Sequence, residues 1–140
     1  VEGGIHVETL RSTDAGVAFY VQTNEAGIFH AGDLNDWSFE GADDLTGWKM
    51  RREFQTEIKR LADKNIDIAF VPMDPRLGRN QWNAVNFVLE QTDVKLVFPM
   101  HMWQDYSGIE EYIRCQKNPK LAAKVVPIAH ENQEFDMSEV

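Results

Sequence analysis

Three short stretches of the sequence place metal-ligating or acid-base side chains directly behind apolar segments. The first is His30-Ala31-Gly32-Asp33-Leu34-Asn35-Asp36-Trp37, where a glycine that permits a tight turn precedes a carboxylate. The second is Val71-Pro72-Met73-Asp74-Pro75-Arg76-Leu77-Gly78, and the third is Phe98-Pro99-Met100-His101-Met102-Trp103, where a proline stiffens the approach to a histidine. Carboxylate oxygen and neutral imidazole nitrogen are the mixed donor types that zinc and related divalent ions accept. Asp33 and His101 are therefore the candidate metal ligands. Each also has an ordinary structural reading: Gly-Asp behind a strand serves as a turn or helix cap, and a single histidine serves as a hydrogen-bonded structural residue. His30 either orients Asp33 from behind or is a buried polar residue. Asp74 and Arg76 either contact substrate or form a local ion pair that shapes the Pro72–Pro75 turn. Trp37 and Trp103 either wall a pocket or cover the rim of the core. The acidic group Asp36, Glu40, Asp43 and Asp44 reads as a solvated loop.

Those loops need strands and helices to hold them. Ile5 to Leu10 alternates, with Ile5, Val7 and Thr9 on one face and His6, Glu8 and Leu10 on the other, which is a strand pattern. Ser12 to Gly16 is a turn, Val17 to Val21 a second strand, Asn24 to Gly27 a turn, and Ile28 to His30 a third strand, so the chain opens as an antiparallel meander. The period then changes. Met50, Phe54, Ile58 and Leu61 make one apolar stripe of a helix over Trp48 to Lys64. A strand is expected at Ile66 to Val71, a helix at Asn80 to Gln91 with Val85, Val88 and Leu89 inward, and a strand at Val94 to Phe98. A third helix capped by Asp105 or Ser107 runs to about Gln116, with short strands at Val125 to Ile128 and Gln133 to Met137. Alternation of strand and helix means an α/β architecture with parallel pairings, and 1–140 reads as a single domain.

With 140 residues and 43% hydrophobic content the chain has enough apolar mass for one core. Its net charge of -9 disfavours nucleic acid and anionic membrane surfaces as partners. No apolar run approaches the roughly 20 residues of a membrane span. The start, Val1-Glu2-Gly3-Gly4, has neither the basic region nor the apolar core of a signal peptide. A single cysteine, Cys115, allows no internal disulfide, which fits a reducing cytoplasm, and it lies late in a helix with no obvious base beside it.

In order and spacing, the chemical stretches resemble part of a known family. Ile28 to Trp37 resembles the fourth motif of the metallo-β-lactamase superfamily, in which a strand delivers a Gly-Asp whose carboxylate bridges two metals. Lys95 to His101 resembles the fifth motif, in which a strand delivers a histidine to the second metal. Asp67 to Pro72, Ser12 to Phe19 and Glu131 to Phe135 resemble one bacterial branch of uncharacterised members, so the resemblance spans nearly the whole chain. It implies half of an αββα sandwich: a mixed sheet with an N-terminal antiparallel meander and three helices packed mainly on one face. It also implies a metal-dependent hydrolase of an ester, amide, phosphodiester or lactone, with zinc or another divalent ion held by Asp33 and His101 and an unknown small-molecule substrate.

Two departures qualify the resemblance. The family's main ligand motif, His-x-His-x-Asp-His, is missing, since histidine occurs only at His6, His30, His101 and His130. In the family that motif belongs to the N-terminal half of the fold. The loop before the second strand reads Ser12-Thr13-Asp14, where many members carry another histidine, so a single metal at the second position is implied. Two ligands fall short of the three protein ligands of a typical catalytic zinc site. The isolated chain is therefore expected to be inactive. The alternative is a non-catalytic assembly module that forms a homo-oligomer or pairs with a separate N-terminal half. In a third reading both ligand loops are coincidental features of an ordinary α/β domain.

Overall fold

A computed structural model describes residues 4–138. Strand β1 (His6–Arg11) pairs antiparallel with β2 (Val17–Gln22), and β2 pairs antiparallel with β3 (Gly27–His30). Two parallel strands follow, β4 (Ile68–Pro72) beside β3 and β5 (Leu96–Met100) beside β4, giving a five-stranded mixed sheet in the order β1-β2-β3-β4-β5. The meander and the α/β class agree with the sequence reading.

Helix α1 (Asp44–Lys59) connects β3 to β4, and α2 (Asn83–Gln91) connects β4 to β5. The start of α1 lies four residues before the expected Trp48. Asp43 sets it by accepting from the Thr46 N–H at 2.9 Å, satisfying a donor that the first turn leaves free. Its apolar stripe is as expected, with Phe54 and Ile58 buried and Leu61 buried just beyond the last turn. The start of α2 is later than expected because Pro75–Asn80 forms a separate 3₁₀ turn, kinked at Gly78. Val85, Val88 and Leu89 are buried as the pattern required. A third helix, α3 (Ser107–Cys115), leans on α2 through Tyr112 Oη to Asn86 at 2.8 Å and ends at the exposed Cys115. Pro119–Ala122 adds a short fourth helix, α4, that periodicity did not reveal. Two expected strands do not form. Val125 makes one parallel bridge to Val97, and 133–137 is not a strand. The bridge rests on two backbone bonds at the outer edge of β5, Val97 N–H to the Lys124 carbonyl at 2.8 Å and Val126 N–H to the Val97 carbonyl at 2.9 Å.

The register assigns side chains to the two faces. Tyr20, Phe29, Ala69 and Val97 are in line across β2 to β5, Leu10 and Ala18 lie two positions along on the same face, and all are buried with Phe54, Ile58, Val85 and Val88 in one core. The alternate positions point away from these helices. Val7 (52% exposed), Val17 and Phe19 (42% each) are open, and Ile28, Ile68, Phe70 and Leu96 are half-buried beside them. Near β5 this second face is screened, where Phe135 meets Phe98 edge-on at 5.3 Å. Asp67 ties the end of the sheet that is remote from the ligand loops. It accepts from the Gly27 N–H at 2.7 Å and pairs with Lys95 at 2.7 Å. Gly27 is required there, because any Cβ would lie 1.8 Å from the Asn65 carbonyl oxygen.

Candidate metal centre

At the carboxyl ends of β3, β4 and β5 the three ligand-type loops converge, joined by the β1–β2 turn. Parallel strands bring their C-terminal loops to one edge, and β2, running the other way, brings its leading turn there too. Asp33 and His101, distant in sequence, meet at this edge: His101 Nε2 lies 3.3 Å from Asp33 Oδ1. Neither side chain makes a hydrogen bond to another described residue, and both are partly open to solvent, at 25% and 34%.

The backbone around Asp33 is fixed from several sides. Gly32 has φ +57°, and a Cβ there would come within 3.1 Å of the Val17 carbonyl oxygen, so the turn that aims Asp33 depends on glycine. His30 Nδ1 accepts from the Gly32 N–H at 3.1 Å. His30 therefore acts on the turn rather than on the carboxylate. Nor is it buried, for it stands exposed on the open sheet face with its ring 5.4 Å from that of Phe70. Thr13, in the hairpin turn, donates to the Asn35 carbonyl at 2.7 Å and accepts from the Asn35 N–H at 3.0 Å. Trp37 Nε1 donates to the Asp33 carbonyl at 2.9 Å, and its ring meets that of His101 edge-on at 6.0 Å. Trp37 thus touches both candidate ligands.

His101 sits on a different kind of support. Its own φ is +64°, and Trp103 and Gln104 follow at +52° and +65°. Each such residue without glycine's freedom costs on the order of 1 kcal/mol, which the surroundings must offset. Part of the offset is visible. Met73 N–H donates to the Met100 carbonyl at 2.8 Å, and Trp103 Nε1 donates to Asp74 Oδ2 at 3.1 Å. Asp74 is fully buried. Arg76 grips it through Nε at 3.0 Å and Nη2 at 2.6 Å, while the guanidinium carbon stacks 4.8 Å from the Trp103 ring centre. Burial pushes the Asp74 carboxyl up, but hydrogen bonds from Arg76 and Trp103 outweigh it and hold the group below the usual carboxylate range. Of the two readings for Asp74 and Arg76, the local ion pair is what the structure contains, and it reaches further than the turn.

Three members of the acidic group, Glu40, Asp43 and Asp44, are exposed as expected, but Asp36 is not. Asp36 is buried and accepts from Arg51 Nε at 3.0 Å, Asn83 Nδ2 at 3.2 Å and Ser38 Oγ at 2.6 Å, locking the loop after β3 onto α1 and α2. From the surface Asp43 caps α1 and Glu40 pairs with Arg79 at 3.5 Å. Thr13, Asp36 and Asn83 were the supporting residues missed by sequence reasoning. Their long-range partners lie 15 to 47 positions away, and no local spacing reports such contacts. One donor in the same loop, Asn35 Nδ2, is buried without a partner.

Two donors about 2.0–2.1 Å from a tetrahedral ion stand roughly 3.4 Å apart. The 3.3 Å between His101 Nε2 and Asp33 Oδ1 matches such an edge, and the nitrogen–oxygen pair suits zinc. The number of donors is short: among the described residues no group of three or more His, Cys, Asp or Glu side chains is placed to hold a metal. Cys115 lies on α3, outside these loops. Comparison with protein-family models, curated proteins and solved structures finds no match to the chain. Among the described residues no helix is long and apolar enough to cross a membrane.

Proposed function

We propose that the chain is the C-terminal half of a metallo-β-lactamase-like hydrolase and supplies two of the ligands of one divalent metal, zinc or a related ion. The observation that carries this reading is the approach of Asp33 to His101 across the sheet edge, at the spacing of two ligands on one ion. In this reading Asp33 contributes a carboxylate oxygen and His101 the Nε2 lone pair of a neutral ring. A divalent metal held there would supply Lewis acidity suited to hydrolysis of an ester, amide, phosphodiester or lactone. Trp37 braces the Asp33 backbone and shields one side of the His101 ring. The remaining ligands come from another polypeptide segment, so the 140-residue chain alone is expected to show little turnover. Metal content of the purified chain, measured by mass spectrometry beside an Asp33→Ala, His101→Ala double variant, tests the pair. Zinc bound by the parent and lost in the variant supports it. Equal zinc in both removes it.

A second reading, a non-catalytic assembly module, is favoured by the open sheet face. Val7, Val17 and Phe19 form an apolar strip on β1 and β2 that no helix covers, the kind of patch that drives association. The partner is a second copy or a separate N-terminal half whose sheet packs on this one. Light scattering at micromolar concentration tests the homo-oligomer. A clean monomer counts against this reading.

A further inference from the structure

Asp74, Arg76 and Trp103 belong to two different loops, yet they make one interlocked unit. Asp74 is buried and fixed at the end of β4, where its carboxylate also caps the 3₁₀ turn by accepting from the Arg76 N–H at 2.9 Å. Trp103, on the loop behind β5, is 66% exposed and has little packing of its own to hold it. Its contacts with the β4 loop are an indole N–H on Asp74 Oδ2 and the Arg76 guanidinium laid against its ring. Between β5 and Trp103 lies His101, and His101, Trp103 and Gln104 all have backbone angles that non-glycine residues avoid. A loop with those angles, left free, relaxes to ordinary φ values and carries the His101 ring away from Asp33. The contacts of the His101 ring, the 3.3 Å approach to Asp33 and the edge-on ring of Trp37, include no well-formed hydrogen bond to hold it against this.

We propose that Asp74, with Arg76, clamps Trp103 and thereby positions His101 against Asp33, so that Asp74 is a positioning residue for the candidate metal ligand. The argument for the metal rests on the function proposed above; the clamp itself is a statement about loop order and is tested without metal. Removing a group that orients a metal ligand commonly weakens metal binding 10- to 100-fold, and the same range is expected here. The indole N–H is the selective target, because Trp103→Phe removes that donor from an exposed residue and keeps an aromatic ring for Arg76.

The experiment uses the full chain with Trp103→Phe and, in parallel, Asp74→Asn. Amide hydrogen exchange over 100–104 and the proton–proton contact between the His101 and Trp37 rings are read by NMR without metal, beside the melting temperature. Zinc affinity is then measured for the same proteins and for Asp33→Ala. The clamp predicts about tenfold or faster exchange in 100–104 and loss of the His101–Trp37 contact in Trp103→Phe, at an unchanged melting temperature. Unchanged exchange and an intact ring contact in Trp103→Phe overturn the clamp, whatever zinc does. A disordered loop with zinc affinity insensitive to Asp33→Ala upholds the clamp and removes the metal reading instead. If Asp74→Asn fails to fold, the Trp103→Phe result decides alone.

Discussion

The two faces of the sheet are built from the same five strands and nearly the same residue types, but their surroundings differ. On one face Phe29, Ala69, Val71 and Val97 have no exposed surface and pack on α1 and α2. On the other, Val7, Val17 and Phe19 keep roughly half of theirs, although they are as apolar. Alternation gives every strand two sides, and helices that pack against one side leave the other to a partner or to water. Stability therefore belongs to the first face, while the second is available for association. The candidate metal pair lies at the rim where the two meet.

The comparison can be broken first at its aromatic members. Phe29→Ala is expected to lose about 3–5 kcal/mol, because a large buried side chain leaves a cavity. Phe19→Ala, on the neighbouring strand but on the open face, is expected to lose less than about 1 kcal/mol. Denaturant midpoints measure both, and equal losses would mean that the open face is covered after all.

Buried charge sharpens the contrast next. Asp67→Asn is expected to cost about 1–3 kcal/mol, since it weakens the hold on Lys95 and Gly27 at the end of the sheet remote from the ligand loops. The Asp67 carboxyl is held below its ordinary value of 3.8 by the Lys95 ammonium and the Gly27 N–H, and Asp74 is also lowered. A carboxylate whose folded pKa is depressed contributes stability above its unfolded pKa and loses it as pH falls through the folded one. The melting temperature is thus expected to hold from neutrality to about pH 5 and to fall below about pH 4. Asp67→Asn should show a shallower acid limb.

Phe19→Lys is the corresponding test of the open face. A folded domain with an unchanged melting temperature, and loss of any self-association seen by light scattering, is the expected result. The smallest effect lies in the strained loop. Gln104→Gly, at φ +65°, is expected to gain up to about 1 kcal/mol by relieving that strain. A loss would show that the Gln104 contact to Glu131, at 2.7 Å, matters more than the backbone.

Much of the architecture was legible in the sequence because it depends on local periodicity. The meander, the buried stripe of α1 and the inward residues of α2 follow from period 2 and period 3.6 alone. Boundaries were less legible. Asp43 reads as one more acidic loop residue until its bond to the Thr46 N–H is seen, and Val125 to Ile128 is apolar enough for a strand but makes a single bridge to Val97. The candidate ligands were visible as residue types behind strands. What held them was not: Thr13, Trp37, Asp36 and the Asp74–Arg76–Trp103 unit act through contacts between loops distant in sequence.

The sequence by itself determined the α/β class, the antiparallel opening, and the placement of Asp33 and His101 at the ends of strands, because hydrophobic period and turn-forming residues are properties of neighbours along the chain. Only the tertiary structure decided that these two side chains face each other at 3.3 Å, that His30 stands on the open face, and that Asp36 and Asp74 are buried anchors. Strand order and register settle such distances, and both emerge from how β3, β4 and β5 pair across the helices between them.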